Sequence, residues 1–341
     1  MRDARSIGIF AAVLGVSIAG ASFAAPAQMR AIVQAGYGGP QVLKLQMVPV
    51  PEPGAGEVRV KVYAAAVNPT DWRFREGEYA KDDSFKIAGF DFAGVIDAVG
   101  AGVTQWKPGD AVFGTKRPQG AYAEYLVTRA DGVIYAKPKN FTYEEASGIT
   151  IAGMTALRAV VESHIAPGQR FAIVGAAGGV GSAAVQIAKA RGVSVITIAS
   201  SSHDKFLRAL GADTIVAYDK DNVAAKVKDV DVVLNTALGQ ADEALAYVKR
   251  GGMLYSVAGL PADSKEKCAA AGVTCFAPGP TPASAAVKMS DLIAMAEAGR
   301  FKVSIEKVYP LEQAAAAQEA NRSGHAEGKL ILSVTPQSKQ K

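Results

Sequence analysis

The sequence predicts an α/β protein, with a doubly wound parallel sheet in its second half and a mostly β unit ahead of it. Residues 171–200, FAIVGAAGGVGSAAVQIAKARGVSVITIAS, run strand, glycine-rich turn, helix and second strand in thirty positions. Strands and helices keep alternating to about residue 288, as a parallel sheet requires, whereas the stretch from Met29 to about 128 reads as strands alone. At 341 residues and 49% hydrophobic the chain can bury two cores.

Arg2 and Arg5 precede an apolar stretch over 7–23, and Ser22-Phe23-Ala24 or Ala25-Pro26-Ala27 fits a cleavage site. That is the plan of a secretory signal peptide over 1–27, too short for a membrane span. Strands are expected at 30–33, 42–47 and 57–67, the last with alternating Val58, Val60 and Val62, and prolines and glycines mark the turns between. Further strands are expected at 94–99, 111–113 and 122–128. A helix is expected over 143–162, with Glu144 and Glu145 in its first turn where they favour the helix dipole. Beyond the glycine turn come segments at 214–216, 230–234, 241–248 and 253–257, then a helix at 284–298 and a last strand at 330–334.

The apolar run 171–174 suits a parallel strand buried on both faces. Gly175, Ala176, Ala177, Gly178, Gly179, Val180 and Gly181 follow, small enough for a ligand to approach the backbone. Val180, Ala184, Ile187 and Ala188 mark one helix face, and the free N–H groups at that helix start form an anion site for a dinucleotide pyrophosphate. Alanine stands at 176 where the fingerprint has its first glycine; the strand before and the helix after supply the confirming context. NAD-selective sites carry a carboxylate at the tip of the second strand. Here the tip is Ala199-Ser200-Ser201-Ser202, with Lys205 downstream. Hydroxyls and an ammonium suit a 2′-phosphate, so NADP(H) is expected, with Ser200, Ser201 and Lys205 as its ligands. Asp204 either faces solvent or caps the following helix.

The net charge of +5 comes without a basic block, so nucleic acid is not implied. His164, His203 and His325 are scattered, and no H-E-x-x-H, Walker loop or nucleophile elbow is present, which excludes the common hydrolase readings. Cys268 and Cys275 are the only cysteines, a disulfide in an oxidising compartment and two thiols in a reducing one.

Several ordered passages extend the reading: MRAIVQAGYGGPQVLKL at 29–45, VNPTDWRFREGEY at 67–79, AGFDFAGVIDAVG at 88–100, WKPGDAVFG at 106–114, ASGITIAGMTALRAV at 146–160, GAAGGVGSAAVQIAK at 175–189 and GHAEGKLIL at 324–332. Together they resemble the medium-chain dehydrogenase/reductase superfamily, and within it the zinc-independent quinone oxidoreductases, the zeta-crystallin-like group. The resemblance implies a GroES-like catalytic domain over 29–150, to which 289–336 returns, and a Rossmann NADP-binding domain over 151–288. Zinc members of the superfamily place a Cys in the loop that reads Asn68-Pro69-Thr70-Asp71 here, and a His-Glu pair where this chain has Phe90-Asp91. Neither Phe90 nor Asn68 is an effective zinc ligand, so no metal is expected.

Without a Lewis acid, hydride delivery to an electron-poor acceptor is the expected chemistry, NADPH reducing a quinone or an α,β-unsaturated carbonyl. Tyr79 lies where related enoyl reductases carry a Tyr implicated in proton donation; it could equally be an aromatic wall of the pocket. Asn68 and Asp71 match polar positions beside the nicotinamide, although Asn68-Pro69 is also a turn signal and Asp71 could cap a helical turn. Thr155 resembles a threonine near the nicotinamide ring, with back-bonding to its own helix as the alternative. Tyr218 and Lys329 resemble residues near the adenosine phosphate and the cofactor edge, or are ordinary strand and surface residues. A second reading, of another class, is a nucleotide-binding sensor or structural protein on the same fold with little catalytic activity. A homodimer is expected from the resemblance alone.

The leader implies a periplasmic or secreted enzyme with no membrane span once it is cleaved. Because the resemblance begins at Met29, translation from that residue would instead give a cytoplasmic enzyme. Mass spectrometry of the native N-terminus decides this: a start at Ala25 or Gln28 is the expected result, and a start at Met29 would remove the leader from the protein.

Overall fold

A computed structural model describes residues 27–79, 87–278 and 287–335. The expected signal peptide lies outside them. The first half is built from β1 (Gln28–Gln34), β2 (Leu43–Pro49), β3 (Glu57–Val67), helix α1 (Pro69–Arg75), β4 (Asp91–Val99), β5 (Ala111–Thr115), β6 (Tyr125–Arg129) and β7 (Ile134–Ala136). Helices α2 (Tyr143–Ser147) and α3 (Thr150–Glu162) lead into the second half. There β8 (Arg170–Val174), α4 (Gly179–Ala190), β9 (Ser194–Ala199), α5 (Asp204–Ala209), β10 (Thr214–Ala217), α6 (Val223–Lys226), β11 (Val230–Asn235), α7 (Ala241–Leu245), β12 (Val248–Ser256), α8 (Ser264–Ala271) and β13 (Thr274–Phe276) alternate. The chain closes with α9 (Met289–Glu297), β14 (Ile305–Pro310), α10 (Ala314–Arg322) and β15 (Lys329–Ser333).

Strands β10-β9-β8-β11-β12-β13 form a six-stranded sheet in that order, and every pairing within it is parallel. Numbered from β8, the order is 3-2-1-4-5-6, so the order of strand addition reverses between β8 and β11, where the glycine turn leaves β8. Ile173, Val195 and Leu234 are buried against the apolar face of α4, which presents Ala184, Val185 and Ile187. Cys268 in α8 and Cys275 in β13 are joined by a disulfide, tying that helix to the edge strand.

The β unit follows another rule. Strands β14-β15-β3-β4-β5-β7 form a path on which β6 also pairs β3, while β1 and β2 make a separate hairpin. Val58, Val60 and Val62 point inward at 0% exposure against Phe92, Leu126 and Leu332, the period-two alternation that the sequence shows. β15 runs antiparallel to β3, with Leu330 opposite Val67 and Leu332 opposite Ala65. The last strand thus completes a sheet begun by the first sixty-odd residues.

Two expected elements differ. The single helix expected over 143–162 is two, because Gly148 ends α2 and α3 starts afresh at Thr150. A side chain at 148 would meet Val303 Cγ1 at 2.7 Å, so this break is where the returning C-terminal segment packs. Thr142 and Glu145 close a reciprocal capping box ahead of it, at 3.1 and 2.8 Å. The segment 241–248 ends as a helix at Leu245 and re-enters as β12 at Val248. Part of the helix expected at 284–298 lies outside the described residues, and the described part is α9. Among the described residues no helix is long and apolar enough to cross a membrane.

Candidate active site

β8 delivers the chain to Gly175, which turns at φ 75°, a value that favours glycine. A Cβ at 181 would lie 2.4 Å from the Gly175 carbonyl oxygen and 2.6 Å from Ala176 Cα, so α4 seats this close to the turn only with glycine there. A Cβ at 179 would meet Lys329 Cδ at 2.7 Å. Position 178 is roomier, its nearest atom being the Gly175 oxygen at 3.6 Å. Ala176 and Ala177 are buried behind the turn. Among the described residues the backbone N–H groups of Gly179, Val180 and Gly181 have no backbone acceptor, since the first helical bond runs from Ser182 N to Gly178 O at 2.8 Å. This cradle of free donors and missing side chains fits a pyrophosphate.

At the tip of β9, Ser200 starts a 3-10 turn over Ser201–His203. Ser201 donates from its N–H and its hydroxyl to the carboxylate of Asp219, both at 2.7 Å, and these bonds hold Asp219 below its ordinary pKa. Lys205 is exposed on α5 and makes no ion pair among the described residues. Asp204 is the first residue of that helix. Tyr218 is 55% exposed, and its N–H is bonded to Ala199 O at 3.1 Å, which sets it beside the tip. The structure therefore gathers Ser200, Ser201, Lys205 and Tyr218 at one corner, with Asp219, which the sequence reading did not single out, among them.

Asn68, Asp71 and Lys329 come together in the interior. Lys329 enters from β15, its stem against Gly179 and Gly148, and its ammonium donates to Val67 O at 2.7 Å and Asn68 Oδ1 at 2.6 Å. Asn68 is 1% exposed and donates from Nδ2 to Asp91 Oδ2 at 3.0 Å. Asp91 also accepts from the Thr115 hydroxyl and from Ile151 N at 3.1 Å. Asp71 accepts from Asn68 N at 2.7 Å, the cap that its position suggests, and from the Tyr122 hydroxyl at 3.0 Å, while its Oδ1 has no partner. Burial raises Asp91 and lowers Lys329, both shifts favouring a neutral pair, and it pushes Tyr122 well up. Burial, with Asp91 nearby, pushes Asp71 up to about 7 in spite of its two donors. Lys329 is thus a buried link between the two halves of the chain, with its ammonium engaged by Val67 and Asn68.

Above this floor a cleft of about 390 Å³ lies between β5 and β7 on one side and α3 on the other. Thr115 and Ile151, both bonded to Asp91, line it, as do Thr150, Met154 and Thr155. Tyr79 is not among its lining residues. It is 41% exposed, its ring stacked 6.3 Å from Phe74, which in turn meets the edge of Phe90 at 5.9 Å. Segment 80–86, which follows Tyr79, lies outside the described residues. Among the described residues no three His, Cys, Asp or Glu side chains are placed to hold a metal ion.

The sequence model of the alcohol dehydrogenase GroES-like domain matches residues 54–139, and that of a zinc-binding dehydrogenase domain matches 210–332. Quinone oxidoreductase from Pongo abelii is 34% identical over 323 residues, 89% of this chain and 97% of that protein. The chain belongs to the zinc-independent quinone oxidoreductases of the medium-chain dehydrogenase/reductase superfamily. The chloroplastic NADPH-dependent alkenal/one oxidoreductase of Arabidopsis thaliana is 35% identical over 247 residues, 69% of this chain and 64% of that protein. The quinone oxidoreductase structure from Coxiella burnetii superposes with a TM-score of 0.83 at 28% identity, covering 90% of this chain and all of that one. This family binds a nicotinamide cofactor, and the free N–H groups of α4 are where this member would hold its pyrophosphate.

The sequence reading missed Thr115 and Tyr122, and it named Asp91 only as the partner of Phe90. Their signal was a lone carboxylate inside the apolar strand run GFDFAG, which needs buried partners. Asp71 gives a measurable consequence. Burial pushes its carboxyl up to about 7 in the fold, well above the ordinary carboxylate range, so the folded chain binds more protons across that window and its stability falls as pH rises through it. Urea unfolding of Asp71→Asn against the parent chain should show the variant gaining relative stability from about pH 4 to about pH 7 and levelling above. A difference independent of pH would show that Asp71 is ionised throughout.

Proposed function

We propose that this chain transfers hydride from NADPH to a quinone or an α,β-unsaturated carbonyl without zinc. The observation that carries the reading is the cleft: apolar, hydroxyl and arginine side chains wall it, and its floor is the hydrogen-bonded network around Asp91 and Asn68. The relatives named above point to the same acceptors. The nicotinamide would supply the hydride, and the protein's share is to orient the acceptor and meet the negative charge that develops on its oxygen. Thr150 offers a buried hydroxyl with no partner on the cleft wall, and we assign it to that oxygen. Tyr79, stacked on Phe74 outside the lining, we read as part of the aromatic approach.

For NADPH over NADH, we rely on Lys205, exposed on α5 just after the Ser200 turn and without an ion-pair partner among the described residues. Asp219 works against a 2′-phosphate, because its charge repels the group and it already occupies both donors of Ser201. We further propose that the enzyme acts after export; the disulfide between Cys268 and Cys275 suits an oxidising compartment.

The first test is consumption of NADPH, followed at the reduced-nicotinamide absorbance, with a panel of quinones and enals. Turnover with some of them is expected; tight NADPH binding without turnover would favour the sensor reading. Lys205→Ala should weaken NADPH binding by roughly tenfold to a hundredfold, about 1–3 kcal/mol, and leave NADH little changed. Asp219→Asn should move the NADPH preference the opposite way by several-fold. Equal loss for both cofactors in Lys205→Ala would refute its role.

A further inference from the structure

Twelve described residues line the cleft, and its only charged ones are Arg117 and Arg158. They differ in what holds them. Arg158 is 2.8 Å from Glu162, a carboxylate at 3% side-chain exposure, so its charge is met from within. Arg117 has no carboxylate partner among the described residues. Its guanidinium rests on the ring of Phe90, 5.3 Å from the centroid, and Phe90 is itself fixed, 4% exposed and wedged edge-on against Phe74. An aromatic face positions a guanidinium without neutralising it, and leaves the planar N–H fork free for a carboxylate or sulfonate. The cleft therefore carries one uncompensated positive charge at its exposed end, while the carboxylates at its floor are turned inward to Thr115, Ile151, Asn68 and Tyr122.

We propose that Arg117 is a specificity residue that selects acceptors bearing an anionic substituent, a carboxylate or sulfonate, over neutral ones of the same shape. The proposal rests on the cleft being the acceptor site, and names the acceptor class that it prefers. Thr115, two residues before Arg117 on the same segment, lies at the cleft floor, so an acceptor spanning the two would present its electron-poor ring to the hydroxyl-lined part and its anion to the mouth. The charge lies at the exposed end, so added salt should erode the preference.

Two measurements separate this from the hydride-transfer reading. Titration calorimetry with naphthalene-2-sulfonate and with the neutral 2-naphthalenemethanol needs no turnover. Arg117→Gln should cost the sulfonate roughly 10- to 100-fold more affinity than the neutral probe, and Arg117→Lys should restore part of that difference. Equal changes for both probes, or none, would overturn the proposal. The second compares kcat/KM for 1,4-naphthoquinone-2-sulfonate and 1,4-naphthoquinone with NADPH: the anionic-to-neutral ratio should fall by the same factor in Arg117→Gln, and an unchanged ratio would again overturn it. If neither quinone is reduced but sulfonate binding still depends on Arg117, the hydride-transfer reading fails and the anion site stands.

Discussion

The burial of one ammonium group constrains most of this molecule. Lys329 lies 5% exposed at the junction of the two halves, and a charge or strong donor in such a place is tolerable only if acceptors surround it. Val67 O and Asn68 Oδ1 accept from it directly, Asp91 is coupled to it through Asn68, and Asp71 is held by the Asn68 backbone. Each acceptor fixes a different stretch of chain: the end of β3, the start of α1, the start of β4. The stem fixes one more, because a Cβ at 179 would lie 2.7 Å from its Cδ. The floor of the cleft is rigid as a consequence of how that one side chain is accommodated. Truncating it would leave the buried Val67 O and Asn68 Oδ1 without their donor, which costs more than the loss of a surface charge.

The two ends of the candidate site are built on opposite principles. The floor is closed, each polar group answered by another inside the protein, apart from Asp71 Oδ1 and the hydroxyl of Thr150. The corner at the tip of β9 and the mouth of the cleft are open, with Lys205 and Arg117 presenting charge that no described carboxylate meets. Closed networks give shape and open charges give selectivity, because only an unanswered donor gains by a ligand's arrival. Asp219 is the exception at the open end, a carboxylate that takes both donors of Ser201.

The glycine turn, the parallel sheet and the β unit were legible because their signals are local: an apolar run of four, a turn of small residues, a helix face at the right period. Gly148 was not read as a break, since both halves of 143–162 keep a helical pattern and only the packing of Val303 against that position shows why a side chain there is excluded. The short strands β7, β13 and β14 carry too few residues, or too exposed a pattern, to stand out. Of the site, Asn68, Asp71 and Lys329 could be proposed from resemblance, but their mutual contacts could not, because Lys329 lies 261 residues from Asn68. Thr115 and Tyr122 look like any strand residue until Asp91 and Asp71 are seen to need them. Asp219 sits one strand beyond the tip of β9, where the dinucleotide pattern directs attention, and so escaped it.

The return of β15 to β3 has a consequence for how the protein comes into being. The N–H of Gly328 bonds Ala177 O at 2.7 Å, the next residue supplies the ammonium, and the four after it extend the first sheet. A nascent chain emerging N-terminus first can form the parallel sheet around β8 while its tail is still unmade, since those contacts are close in sequence. The floor of the cleft has no such option. It waits for residues 328–333, so a chain that stopped before them could carry the parallel sheet but would lack that buried floor.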